Sequence, residues 1–274
     1  MARPTPAAAP AAEPPSAESS ADALARLYDV DLLDDPGDLD LYRALAARMD
    51  GPILELAVGT GRLAVPLAVD GRRVVGVDAD RSMLARAARR AHAASAGDVG
   101  SLELVAADLR TAVVPGDGSF RLGFIALNSL MLLGSRSAQQ EAIDALAARL
   151  MPGGLAVVDV WLPDAEDLAR FDGRLVLEYV RSDPETGHDV TKVASARHDA
   201  ATGTVELTAL YDEGASGSSP VRWTRHDRLR LVGADDLVAF AAAAGLEVET
   251  LAGDYELGPF GPGSERAIFV ARKR

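Results

Sequence analysis

The stretch ILELAVGTGRL, residues 53 to 63, constrains the fold more than any other part of the chain. Its first half is an apolar run of strand length; its second half places two glycines one residue apart before helix-like spacing begins at Arg62. A buried strand turning through glycines into a helix is the opening unit of a doubly wound sheet, in which ligands sit beyond the carboxyl ends of the strands. The alternation continues with RRVVGV (72 to 77), a helix from about Arg81, LELVAA (102 to 107), FRLGFIAL (120 to 127), a helix from about Ser137 to Leu150, and LAVVDVW (155 to 161). Strands that are apolar on both faces predict a parallel sheet covered by helices on both sides.

Around this series the pattern differs. Leu24, Leu27 and Tyr28, then Leu41, Leu45 and Met49, recur at helical spacing on either side of the breaker Asp34-Asp35-Pro36-Gly37, so two helices precede the first strand. After Pro163, four strand-like stretches (RLVLEYV, DVTKVASARH, TVELTALY and VRWTRHDRLRL) alternate with turn-rich breaks, which predicts an antiparallel meander from about 174 to 232. A helix from Ala234 to Ala244, stopped by Gly245, and two strands, LEVETLAG and RAIFVARK, close the chain. The expected division is a disordered tail over 1–20, a core over 21–162 and 233–274 that includes the N-terminal helices, and a β insert over 163–232. The insert is expected to act as a lid or as the contact of a homodimer.

Bulk properties exclude several functions. A formal charge of −13 over 274 residues disfavours a nucleic-acid partner, because that affinity rests on Lys and Arg neutralising phosphates. No apolar run approaches the roughly 20 residues of a membrane helix, and the Ala/Pro/Ser/Glu tail lacks a signal-peptide core, so no membrane partner and a cytoplasmic location are expected. Cysteine is absent, which removes thiolate metal sites and a cysteine nucleophile, and the four histidines (His92, His188, His198, His226) show no metal-ligand spacing. No metal is expected.

Gly59-Thr60-Gly61-Arg62-Leu63-Ala64 satisfies the loose G-x-G-x-x-G/A pattern of dinucleotide binders, but the chain has only two lysines, Lys192 and Lys273. Neither completes a P-loop or the Tyr-x-x-x-Lys pair of a reductase. Three acids remain: Glu55 within the first strand, Asp78 at the end of the second and Asp108 at the end of the third. Neighbouring strand ends would bring them to one crevice. There a carboxylate offers two acceptors to a ribose diol, another can accept from an adenine amino group, and a third can sit near a cationic group. For Asp78 and Asp108, capping of the following helix is the plain alternative.

The motifs ILELAVGTGRL, VVGVDADRSML, LVAADLR, FIALNSL and MPGGLAVVDVW stand in the order and spacing of the class I S-adenosylmethionine-dependent methyltransferases, which the chain resembles from its N-terminal helices to its final strand pair. The resemblance implies a Rossmann-like seven-stranded sheet with an antiparallel last strand, plus the small antiparallel β insert. It implies that Gly59 and Gly61 let the chain's backbone approach the amino-acid and ribose portions of S-adenosylmethionine, that Asp78 with Ala79 binds the ribose, and that Asp108 with the amide of Leu109 reads the adenine. Asn128 would end the fourth strand beside the methyl group, and Tyr28 would close over the methionine end, near Glu55. Ala57 stands where the family often has its first glycine; little loss is expected, apart from a tighter approach there being blocked.

The expected activity is methyl transfer to a small molecule, at nitrogen or oxygen rather than carbon, in secondary metabolism. Trp161, past the fifth strand, is a candidate for the substrate pocket beside Asn128, with a plain core tryptophan as its alternative. His198, His226 and Tyr211 are unranked candidates for a base, although His226 shares parity with Arg228 and Arg230, opposite Leu229 and Leu231, as on a solvated face. A cofactor-binding protein that catalyses another step, such as cyclisation, a noncatalytic binding module, and an NAD-dependent oxidoreductase are the competing readings.

Overall fold

The computed structural model describes residues 18–94, 101–215 and 217–274. The first seventeen residues of the expected tail lie outside that range. Ser19 accepts from the Asp22 amide and caps helix α1 (Ser20–Asp31), so ordered structure begins before residue 21.

Seven strands form one sheet in the order β10-β11-β5-β4-β1-β2-β3. These are β1 (Ile53–Leu56), β2 (Val74–Asp78), β3 (Leu102–Ala106), β4 (Phe120–Ile125), β5 (Leu150–Trp161), β10 (Leu246–Ala252) and β11 (Arg266–Lys273). β1 pairs in parallel with both β2 and β4, while β11 runs antiparallel to both β5 and β10. The order reverses at β1, which opens the crevice at the ends of β1 and β4. β5 begins at Leu150 rather than Leu155, because Leu150 already pairs with Phe120.

Helices cover both faces. On one side α2 (Leu39–Met49), α3 (Ala64–Val69) and α4 (Arg81–Ala94) bury Tyr42, Leu45, Leu67 and Leu84 against Ile53 and Phe124. On the other, α5 (Arg136–Arg149) and α7 (Ala234–Ala243) bury Ile143, Leu146, Leu237 and Phe240 against Leu56 and Val158. α3 starts at Ala64, two residues after the expected position, because the glycine turn extends through Arg62.

The insert is a separate four-stranded antiparallel sheet, in order β6 (Asp172–Ser182), β7 (Asp189–Asp199), β8 (Thr204–Gly214) and β9 (Val221–Arg230). A short helix, α6 (Ala165–Arg170), precedes it and was not foreseen. α1 packs on this sheet: Leu27 and Val30 are buried with Val190, Ala209 and Tyr211. A charged knot holds the same contact. Arg26, 3% exposed, is paired with Asp183 and Glu213, and Trp223 Nε1 donates to Glu213. No helix among the described residues is long and apolar enough to cross a membrane.

Candidate active site

The backbone of the glycine turn shapes the crevice floor. Gly59 and Gly61 both have positive φ (+54° and +75°), and so does Ala57 (+61°), a conformation that costs a residue with a Cβ roughly 1–2 kcal/mol. Ala57 is therefore a point of backbone strain, beyond the expected loss of close approach. The two glycines serve different neighbours. A Cβ on Gly59 would meet only the Tyr28 ring, at 3.9 Å, whereas one on Gly61 would lie 3.0 Å from Ala87 and Val65. Gly61 thus permits close packing of α3 and α4, and Gly59 leaves the turn open to the crevice.

Asp78 sits at the end of β2 beside that turn. Its Oδ2 accepts from the Gly59 amide at 2.8 Å and its Oδ1 from the Asp80 amide at 2.9 Å. Capping of α4 falls to Asp80, whose side chain accepts from the Ser82 and Met83 amides. Burial pushes the Asp78 carboxyl up, against the pull of those amides. Glu55 lies deeper, 4% exposed, and its Oε2 has no hydrogen-bond partner. Desolvation raises its pKa well above the ordinary range, with the nearby Arg62 opposing. Arg62 itself grips Asp38 at the start of α2 through two hydrogen bonds, which ties the turn to that helix.

A cavity of about 420 Å³ opens over this floor, with Ala57, Gly59 and Asp78 on one side and Ala25, Tyr28 and Leu24 of α1 on the other. α1 is held there by Asp29, which accepts from Thr60 Oγ1 at 2.7 Å, from Arg86 and from Arg90. A second cavity of about 290 Å³ shares Tyr28, Leu132, Arg225 and Asp227 with the first. The β9 strand of the insert therefore roofs the crevice with Arg225 and Asp227, whose side chains are paired at 2.7 Å. Farther in, Asp31 accepts from Tyr211 at 2.8 Å, from Tyr179 and from Lys192 at 3.0 Å.

The turn after β4 forms the end wall. Leu127 and Asn128 both have positive φ, +46° and +66°, and lead into a 3₁₀ turn over Ser129–Leu133. Asp159, fully buried in β5, braces this turn: its Oδ2 accepts from the Leu127 amide and from Tyr255, and its other oxygen pairs with Arg266. The Asn128 side chain in turn accepts from the Trp161 amide at 2.5 Å, so Asn128 lines the second cavity with its carboxamide tied to β5. Leu127 carries the strain of a positive φ, and the buried Asp159 carboxylate holds its amide there.

The residues expected from the sequence do not all converge. Tyr28, Ala57, Gly59 and Asp78 line the larger cavity and Asn128 the second, whereas Glu55 borders a small adjoining space with Tyr28 and Arg62. Ala79 is exposed and Leu109 buried; neither lines the two cavities. Asp108, which also lines neither, is ion-paired with Arg110 at 2.7 Å, and this bond holds its carboxyl below the ordinary range. Trp161 lines a third cavity, beneath the insert. His226 is exposed and bonded to Thr208 at 3.0 Å, as its parity implies, and His198 lines none of these cavities. Among the described residues no His, Asp or Glu cluster is arranged to hold a metal. Arg225, Asp227, Asp29 and Asp159 were not foreseen; in β9 Arg225 and Asp227 lie on the face opposite His226.

Comparison with known proteins agrees with this architecture. Residues 53–154 match the family model of a methyltransferase domain. The CcbJ methyltransferase of Streptomyces caelestis superposes with a TM-score of 0.74 at 25% identity, over 87% of this chain and 96% of that one. An S-adenosylmethionine-dependent methyltransferase from Clostridium acetobutylicum has a TM-score of 0.75 at 16% identity, over 92% and 98%. The sugar N-methyltransferase KedS8 of a Streptoalloteichus species has a TM-score of 0.71 at 22% identity, over 100% and 99%. The last two likenesses establish the fold. No curated protein sequence matches the chain.

Proposed function

Since the chain carries a methyltransferase domain of the S-adenosylmethionine-dependent class, we propose that it methylates an amine nitrogen of a small molecule held between the strand ends and the insert. The observation that carries this reading is the junction of the two cavities at Tyr28, Leu132, Arg225 and Asp227. The larger cavity suits the cofactor. Its floor combines the open Gly59 turn with a carboxylate, Asp78, whose remaining lone pairs face a space of about 420 Å³. The unpartnered Glu55 oxygen lies one layer below, where a cationic amino-acid end would compensate it.

Bound there, the cofactor would supply an activated methyl group on a positively charged sulfur, the sulfide of S-adenosylhomocysteine being the leaving group as the acceptor bonds to carbon. The chain contributes orientation and water exclusion. Tyr28 covers the turn, Asn128 is fixed by its bond to β5, and α1 with β9 closes the crevice. Asp227, 18% exposed and held by Arg225, presents a carboxylate where an amine would gain positive charge as its N–C bond forms. That placement suits an amine, whose nitrogen keeps its positive charge once the N–C bond has formed, whereas a hydroxyl must also give up a proton. The insert serves as the lid in this reading. The CcbJ relative is a methyltransferase, and the KedS8 structure is that of a sugar N-methyltransferase, chemistry of the same kind.

The test is incubation with S-adenosylmethionine and paired panels of small amines and alcohols. Release of S-adenosylhomocysteine in step with a mass gain of one methyl on amines is expected. Methylation confined to alcohols would overturn the assignment of the acceptor atom.

A further inference from the structure

The third cavity, about 320 Å³, lies under the inner face of the insert and has predominantly apolar walls, among them Trp161, Phe171, Val176, Ala196, Leu207 and Leu229. The Trp161 and Phe171 rings, both in its lining, are 6.1 Å apart and tilted by 54°. Leu207 and Leu229 also line the second cavity, so the chamber adjoins the place where Asn128 and Asp227 sit. The arginines at its border are already engaged: Arg170 pairs with Glu166 and Arg174 with Asp172. Their charges are thereby satisfied locally, and no unpaired cation there calls for an anionic group.

We propose that this chamber holds the apolar body of the acceptor, so that the substrate is an alkyl- or arylalkylamine with its nitrogen at Asp227 and its carbon skeleton between Trp161 and Leu229. The position of the nitrogen rests on the function proposed above; the chamber's preference for apolar groups rests on its walls, two of which, Leu207 and Leu229, it shares with the second cavity. The insert then has two duties: Arg225 and Asp227 of β9 supply the charged junction, and the inner face of the sheet, Leu229 of β9 included, selects the substrate by apolar burial. The backbone bond from Trp161 to the Asn128 side chain links the chamber wall to the end wall of the crevice.

The probes are n-alkylamines from butylamine to decylamine and the matching n-alkanols, titrated calorimetrically into the full chain saturated with S-adenosylhomocysteine. Affinity is expected to rise about fourfold per added methylene until the chamber is filled. Val176→Phe, at a half-exposed position on the edge strand where a larger ring has room to settle, is expected to abolish most of that rise. Ala196→Phe is the independent second variant, and the affinity of each variant for S-adenosylhomocysteine reports that it has folded. Affinity flat with chain length, or a rise that persists in both filled variants, would overturn the proposal. If alkanols show the same rise and are methylated while amines are not, the chamber stands and the amine assignment falls.

Discussion

The floor and the roof of the crevice are built by different means. The floor and the end wall consist of backbone: turns at Ala57 and Gly59 and at Leu127 and Asn128 in positive-φ conformations, with Asp78 and Asp159 bonded to amides within them. The roof consists of side chains on alternating positions of antiparallel strands and of α1, locked by ion pairs such as Arg26 with Asp183 and Glu213. A floor of this kind suits a group whose shape does not vary. A roof of alternating side chains can be altered residue by residue without disturbing the turns, which suits the acceptor. The difference teaches where recognition of each partner resides.

The largest expected effect is on the roof. Arg26→Ala would leave Asp183 and Glu213 buried without their cation, and a loss of about 3–5 kcal/mol in stability is expected by urea unfolding. If floor and roof unfold as separate units, the loss will appear in only one of two transitions. On the floor, Asp78→Ala is expected to weaken S-adenosylmethionine binding by about 2–3 kcal/mol, on the scale of lost hydrogen bonds to a charged group, with the fold retained. Equal affinity in a folded variant would remove Asp78 from the cofactor site.

The pH dependence sharpens the same contrast. The folded-state pKa of Glu55 is raised, so the folded chain holds a proton that the unfolded chain releases at the ordinary carboxylate pKa. Stability therefore falls as pH rises between the ordinary value and the raised one, by about 1.4 kcal/mol per unit across that window for this group. Glu55→Gln is expected to flatten this decline, as followed by thermal unfolding from pH 4.5 upward. A smaller effect is expected for Ala57→Gly, which relieves the positive-φ strain but adds backbone freedom to the unfolded chain; a net gain of up to about 1 kcal/mol should follow. A loss instead would mean that the methyl group of Ala57 contributes contacts that outweigh its strain.

The same division explains what was legible in the sequence. The floor's signals are local: apolar strands, two glycines and acids at strand ends mark the strand-helix alternation and Asp78 without knowledge of any distant contact. The wall after β4 carries no such sign, because Leu127 and Asn128 adopt positive φ under the hold of Asp159, a residue 32 positions away from Leu127. In β9 the run RHDRLR is charged in both phases, so parity separates His226 from Leu229 but does not single out Asp227 until the facing strands are known. α6 is short, yet its capping box, Asp164 with Asp167, was a readable start signal. The Asp108 expectation came from its strand-end position and from the resemblance; the ion pair with Arg110 beside it was not foreseen.

The central claim is that an amine acquires its methyl group at the junction, beside Asp227. The measurement that tests it most directly is single-turnover methylation of the best amine by the wild type and by Asp227→Asn, with S-adenosylhomocysteine affinity measured in parallel. A fall of about 30-fold or more in the rate, on the scale of a lost charge-assisted interaction, with affinity for S-adenosylhomocysteine unchanged is predicted. An unchanged rate in a variant that still binds S-adenosylhomocysteine would contradict it.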